Sequence, residues 1–406
     1  MAHQFQDEEA MPWLARLING LGKTYMHINP KALPLDSDYL HEKAMKDTGL
    51  TDFGDPYYLE GLTVLLRDLS KNVESSFMGR LKMQDVLLRQ LGNRLRFVEY
   101  KKRHPDVFER PLANPLVITG IPRSGTTFLH RLLNEDKRWR SLQLYEIIHP
   151  VPPEAGQKDR RLAECQNEMR LLGWFAPELD KKHLIRPEMP EECLWLFGIT
   201  FCSFEYLFEK PVYEYLEWFL QKDRSKSYQE YAQLLQIFQA QSPGRSLLLK
   251  APAHRASLDY LTKVIPNVQL VITERDMLSS LGSFCSLQYT ALRSSVLSLD
   301  KRKVGSEALS FFQKEKDLQD NFLSKHSGLY CRVAYEQLRH NPLEIARNIY
   351  QHYDIPMSPE TEEKMRAYAH SQPQHKYGIH RYRAEDFGIN AAQLATGTPD
   401  RSAEKI

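Results

Sequence analysis

Apolar residues in the first hundred positions recur at intervals of three and four. Leu59, Leu62, Leu65, Leu66 and Leu69 make one such series, and Leu81, Val86, Leu87 and Leu91 make another. That spacing places side chains on one face of an α-helix, and Gly54, Asp55 and Pro56 punctuate between helices, so a mainly helical region is predicted over residues 1–112. At residues 115–134, PLVITGIPRSGTTFLHRLLN, the pattern changes. The unbroken apolar run Leu116, Val117, Ile118 suits a buried parallel strand, Gly120 and Pro122 end it, and Phe128, Leu129, Leu132 and Leu133 resume helical spacing. The same alternation returns further on, with strands predicted at 247–249 and 268–273 and a helix at 257–264 between them. Strand, helix, strand implies a parallel sheet, and hence an α/β fold.

The pattern is less regular elsewhere. RWRSLQLYEIIHPVPP reads as a connector, because Pro150, Pro152 and Pro153 end whatever precedes them, and a helix follows over 160–172. Residues 174–240 are the most aromatic part of the chain, including Trp195, Phe197, Phe201, Phe204, Tyr206 and Phe208. Such density either lines a pocket for a bulky apolar molecule or is ordinary helix core. A strand at 330–333 and a polar, frayed end complete the chain.

Charge narrows the function. Lys and Arg number 54 against 52 Asp and Glu, a formal net charge of +2, so no global basic field of the nucleic-acid-binding kind exists. Any anion site is local. The five cysteines at 165, 193, 202, 285 and 331 have no metal-like spacing and read as free thiols of a reducing compartment. The N-terminus lacks a signal-peptide pattern, and no stretch approaches the roughly 18 apolar residues of a membrane span. A cytoplasmic protein is expected.

The segment 115–134 carries the first candidate chemistry. A loop between strand and helix aims backbone N–H groups and the positive end of the helix dipole at one point, which suits a phosphate. From Gly120 to Thr127 the spacing is G-x-x-x-x-G-T-T, a phosphate-loop pattern in which Thr126 stands where a lysine is usual. The cation is Arg123, inside the loop, with Ser124, Gly125, Thr126 and Thr127 as further anion ligands. In parallel sheets ligands lie at the carboxyl ends of strands, where Lys250, His254 and Arg275 also fall. Glu188, Glu191 and Glu192 in RPEMPEEC either cap a helix or supply a general base. LVITERD also reads as a magnesium-binding strand with Glu274, which keeps a P-loop nucleotide kinase or NTPase open as an alternative.

The run P-R-S-G-T-T-F-L-H resembles the 5′-phosphosulfate loop of sulfotransferases that use 3′-phosphoadenosine 5′-phosphosulfate (PAPS), in the branch that carries arginine at the position of Arg123. TGLTDFGDPYYLEGL resembles the helical N-terminal extension of the bacterial members. The resemblance implies a P-loop-like α/β domain over 113–395, a helical acceptor region at 174–240 within it, a helical region at 1–112 and a flexible tail at 396–406. It implies that Arg275 and Ser283 hold the 3′-phosphate, that Tyr335 of YEQLRHNP stacks on adenine, and that Lys376, Gly378 and Arg381 belong to a basic closing loop. His254 takes the place of the catalytic base, with Glu191 the alternative, and Arg123 answers charge on the departing phosphate. The expected reaction is sulfuryl transfer from PAPS to a hydroxyl or amine of a small, partly apolar acceptor, with no metal and no nucleic acid, leaving adenosine 3′,5′-bisphosphate. A non-catalytic nucleotide-binding protein is the other alternative.

Overall fold

A computed structural model describes residues 13–29, 31–72, 75–175, 184–293, 295–372 and 383–396. Five short strands form its centre: β1 (Leu116–Gly120), β2 (Trp139–Ser141), β3 (Ser246–Lys250), β4 (Gln269–Glu274) and β5 (Tyr330–Ala334). Every pairing is parallel, in the order β2-β3-β1-β4-β5. β1 is buried at all five positions, which is why its sequence is a continuous apolar run rather than an alternating one. Leu116 lies level with Leu248 on one side and Gln269 on the other. From β1 the chain goes to β2 and β3 on one side, then crosses to β4 and β5 on the other. The crevice beyond the carboxyl end of β1 is thus where the strand order reverses, the usual ligand position in such sheets.

Helices cover both faces. The helices used below are, in chain order, α1 (Trp13–Ile28), α2 (Ser37–Thr48), α3 (Tyr58–Asn72), α4 (Phe77–Arg103), α5 (Thr126–Leu133), α6 (Arg161–Phe175), α7 (Ser225–Ala240), α8 (Leu258–Val264), α9 (Met277–Leu292), α10 (Lys301–Lys325), α11 (Pro342–His352) and α12 (Pro359–Ser371), with a further helix at Tyr213–Gln221 and shorter helical turns between them. Val117, Leu249 and Ile272 pack with Phe197, Tyr231 and Leu234 on one face of the sheet. Leu116, Leu248 and Val271 pack with Leu129, Leu132 and Ile349 on the other. Neighbouring β1 residues thus enter opposite layers, as strand geometry requires.

The N-terminal helices share a core with later parts of the chain. Leu40, Leu62, Leu87 and Leu91 pack in one cluster with Phe201, Tyr206, Phe284 and Phe312. Much of the aromatic region is therefore core: Phe201 stacks on Tyr206 and Phe204 on Phe311, with Phe201 and Tyr206 wholly enclosed. Most expected elements fall within a residue or two of their predicted bounds. β2 is the exception, because Trp-Arg-Ser is three residues long with no apolar pattern of its own; it pairs with β3, and Trp139 is buried against Tyr350. No helix among the described residues is long and apolar enough to cross a membrane.

Candidate active site

The loop after β1 is held in an uncommon backbone shape by its neighbours. Gly120 has φ +136°, and a Cβ there would lie 2.1 Å from the Thr273 carbonyl of β4, so only glycine fits against that strand. Ser124 is fully buried; its Oγ donates to the Ile121 carbonyl at 2.6 Å and lies against Thr273 Oγ1, which donates to the Thr119 carbonyl at 3.2 Å. Arg123 has φ 68°, a left-handed conformation that a non-glycine residue adopts at a cost of about 1–3 kcal/mol. Gly125, at φ 86°, begins α5 without any side-chain cap for the first-turn N–H groups. Those donors and the helix dipole face the loop, the arrangement that favours a bound anion.

On the β4–β5 side, Arg275 Nη1 donates to the Arg123 carbonyl at 2.7 Å, and its guanidinium lies 4.2 Å from the centre of the Tyr335 ring. Arg123 Nε donates to Ser283 Oγ at 3.0 Å, reaching from the loop to α9. Tyr335 also closes on the loop, since a Cβ on Gly125 would be 3.3 Å from its ring. Asp276 starts α9 by accepting from the Ser279 N–H at 2.8 Å, a bond that holds its carboxyl below the usual range. Five residues singled out from sequence, Arg123, Gly125, Arg275, Ser283 and Tyr335, thus form one connected group. Glu274 instead pairs with Arg332 of β5 at 3.2 Å, so its carboxylate is engaged away from the loop.

On the β3 side lies a buried charge cluster. Lys250, the last residue of β3, has no exposed surface; its Nζ is 2.7 Å from Glu192 Oε1 and 3.6 Å from Glu191 Oε1. The carboxylates are carried there by a segment docked along residues 142–145, where Leu144 N–H donates to the Met189 carbonyl, Tyr145 N–H to that of Pro187 and Glu191 N–H to that of Leu142. Glu191 is 3% exposed, whereas the Glu192 side chain keeps 17% of its surface. Beside them, on α5, His130 Nε2 bonds the Leu248 carbonyl at 3.1 Å while buried Nδ1 meets no hydrogen-bonding partner among the described residues. Burial, and then the Lys250 charge, push this imidazole down to about 3, so it is neutral. Lys250 was legible at a strand end without an assigned role, and His130 carried no sequence signal beyond its place on the loop helix.

His254 departs from its expected place. It has no exposed surface; Nδ1 lies 2.9 Å from the Tyr228 hydroxyl, and Nε2 lies 3.3 Å from the Tyr231 hydroxyl and 3.4 Å from Cys193 Sγ. Phe197 packs against its ring. Burial lowers it to about 3 and raises the Cys193 thiol to about 12, so both groups are uncharged at neutral pH. The longer spacing from Lys250 turns the chain into the aromatic core before His254 is reached. Glu188, the remaining acidic candidate, accepts from Gln166 Nε2 at 2.7 Å on the exposed side of its segment. Lys376, Gly378 and Arg381 lie outside the described residues.

The chain resembles two solved mycobacterial proteins. One is the sulfotransferase STF9 from Mycobacterium avium, with 25% identity and a TM-score of 0.81 over 90% of this chain and 95% of that one. The other is the sulfotransferase STF1 from Mycobacterium tuberculosis H37Rv, with 25% identity and a TM-score of 0.75 over 89% and 98%. No curated protein sequence matches. The model of the sulfotransferase family matches residues 115–359, the span that contains the whole sheet and the connected group around Arg123. The chain belongs to the sulfotransferase family and is an enzyme of that class.

Proposed function

We propose that the enzyme moves a sulfuryl group from PAPS to a hydroxyl, or an amine, of a small acceptor. The observation that carries this reading is the linkage of Arg123, Ser283, Arg275 and Tyr335 around an uncapped helix start. Those residues suit a nucleotide with two separated phosphate groups. The first-turn N–H groups of α5 take the 5′-phosphosulfate, Arg275 and Ser283 take the 3′-phosphate, and Tyr335 offers a face to the base. The acceptor oxygen forms its bond to sulfur as the bond from sulfur to the phosphate oxygen breaks, and adenosine 3′,5′-bisphosphate leaves with the electron pair. Arg123 answers the charge that grows on that oxygen, the kind of fixed cation that counts most where charge develops.

The acceptor proton goes to a carboxylate of the Glu191–Glu192 pair. Glu192 is the better candidate, being partly exposed while Glu191 is enclosed, and Lys250 acts as the positioning residue that fixes it. Burial of His254 supports moving this role away from the histidine. The pairing of Glu274 with Arg332 weakens the kinase reading, which needs a carboxylate for magnesium. Incubation with sulfate-labelled PAPS and a panel of alcohols, phenols and amines tests the proposal. Label appearing on an acceptor supports it, whereas phosphoryl transfer from ATP to the same panel without any sulfuryl transfer rejects it.

A further inference from the structure

Helix α1 leaves an apolar stripe in the open. Of the nine large hydrophobic residues that the described chain exposes, five sit on this one helix: Trp13 (69% exposed), Leu17, Leu21, Tyr25 and Ile28 (76%). At 100° per residue they fall within one third of the helix circumference, and at 1.5 Å per residue they run its whole length. The opposite side is the one that packs: Ala15 and Gly22 are buried, a Cβ on Gly22 would collide with the Phe77 side chain of α4, and Asn19 Oδ1 accepts from the Met78 N–H. α1 is therefore fixed to the protein on that side, with Leu14, Ile18 and Met26 half-buried and the Tyr25 ring edge against Phe77. The other large residues of the stripe point outward.

The charges on α1 are of one sign. Arg16 and Lys23 lie together on the flank of the stripe, with His27 beside them, and no Asp or Glu occurs between Trp13 and Ile28. An aromatic residue stands near each end of the stripe, Trp13 and Tyr25. Exposed apolar stripe, basic flank and aromatic ends are together the features of a helix that lies in the plane of a membrane surface, apolar side down. A second copy of the chain would bring Arg16 and Lys23 towards their own counterparts with no carboxylate on α1 to answer them. Anionic lipid headgroups meet them with opposite charge.

We propose that α1 docks the enzyme on anionic phospholipid surfaces, with Trp13, Leu17, Leu21, Tyr25 and Ile28 entering the interface and Arg16 and Lys23 meeting headgroup phosphates. The helix lies on the bilayer and does not span it. Flotation of the full-length protein with vesicles of phosphatidylglycerol and phosphatidylcholine in equal parts, and with vesicles of phosphatidylcholine alone, tests this. Binding to the first and little to the second is expected. Replacing Arg16 and Lys23 together by Gln should weaken the binding by roughly thirtyfold, at about fivefold for each charge. The pair Leu17→Ser and Leu21→Ser should abolish it; both sites are exposed, so the melting temperature should stay unchanged. Absence of binding to either vesicle, or binding that both double variants retain, overturns the proposal. So does a dimer in light scattering that Leu17→Ser with Leu21→Ser splits while vesicles remain unbound, because the stripe is then a subunit interface.

Discussion

The Arg275 guanidinium donates to the backbone carbonyl of Arg123 at 2.7 Å, so one arginine fixes the conformation of the other. This explains how Arg123 is kept at φ 68°, where its carbonyl turns towards β4 and its side chain reaches Ser283 on α9. The two cations of the site are coupled through the main chain. Replacing Arg275 by Ala therefore removes the proposed 3′-phosphate contact and also loosens the loop.

Arg275→Ala should weaken adenosine 3′,5′-bisphosphate by about 1.5–3 kcal/mol, the range for one charged hydrogen-bonding partner. Arg275→Lys should recover little of the loss, because an ammonium cannot hold the Arg123 carbonyl, lie flat on Tyr335 and offer a forked donor at once. Calorimetric titration of both variants checks this.

Arg123→Ala should act mainly on turnover, lowering kcat by on the order of 10²–10³, as loss of a donor at developing charge does elsewhere. Alanine keeps the left-handed strain at φ 68°, whereas Arg123→Gly relieves it. Equal kcat losses in the two variants would assign the effect to the side chain. A much smaller loss in the glycine variant would assign it to the backbone.

Glu192→Gln should lower kcat by about 10²–10⁴, the usual contribution of a general base, while leaving bisphosphate affinity in place. Lys250→Met should lower kcat as well, because the ammonium 2.7 Å away no longer holds the carboxylate in place. His254→Ala should retain kcat in the folded fraction and lose roughly 2–4 kcal/mol of stability, through a cavity and the lost bond to the Tyr228 hydroxyl. Loss of turnover in His254→Ala with stability intact would return the role of base to the histidine.

Stability should be flattest between pH 4.5 and 6.5. His130 and His254 fall from 6.5 to about 3 through burial, so only the unfolded chain takes up their protons and stability drains as pH falls from 6.5 towards 3. Glu205 and Glu315 rise from 4.5 to about 8, also through burial, so the unfolded chain ionises first and stability drains as pH rises from 4.5 towards 8. Between 4.5 and 6.5 the two slopes oppose each other. A series of melting temperatures from pH 3 to 8 checks the shape, and Glu205→Gln should flatten the alkaline side. A melting temperature that climbs steadily to pH 8 would contradict it.

The sheet and the loop were legible because their determinants are local. A buried central strand must be apolar throughout, Gly120 meets the β4 backbone with no room for a side chain, and Gly125 takes a positive φ that favours glycine. The family resemblance pointed to Arg275, Ser283 and Tyr335, and the fold adds the contacts that join them to Arg123. The burial of His254 was not legible, because sequence spacing cannot say that the chain enters the aromatic core after Ala251. The Lys250 cluster stayed hidden for a related reason. Glu191 and Glu192 reach it through main-chain bonds between 142–145 and 187–191, a pairing of two irregular segments that no periodicity marks.

The central claim is a site for a nucleotide with two separated phosphate groups, and calorimetric titration of the wild-type protein with adenosine 3′,5′-bisphosphate and with ATP plus magnesium tests it most directly. The bisphosphate should bind clearly the tighter, and that preference should shrink in Arg275→Ala. Tighter binding of ATP, or a bisphosphate affinity that Arg275→Ala leaves unchanged, would contradict it.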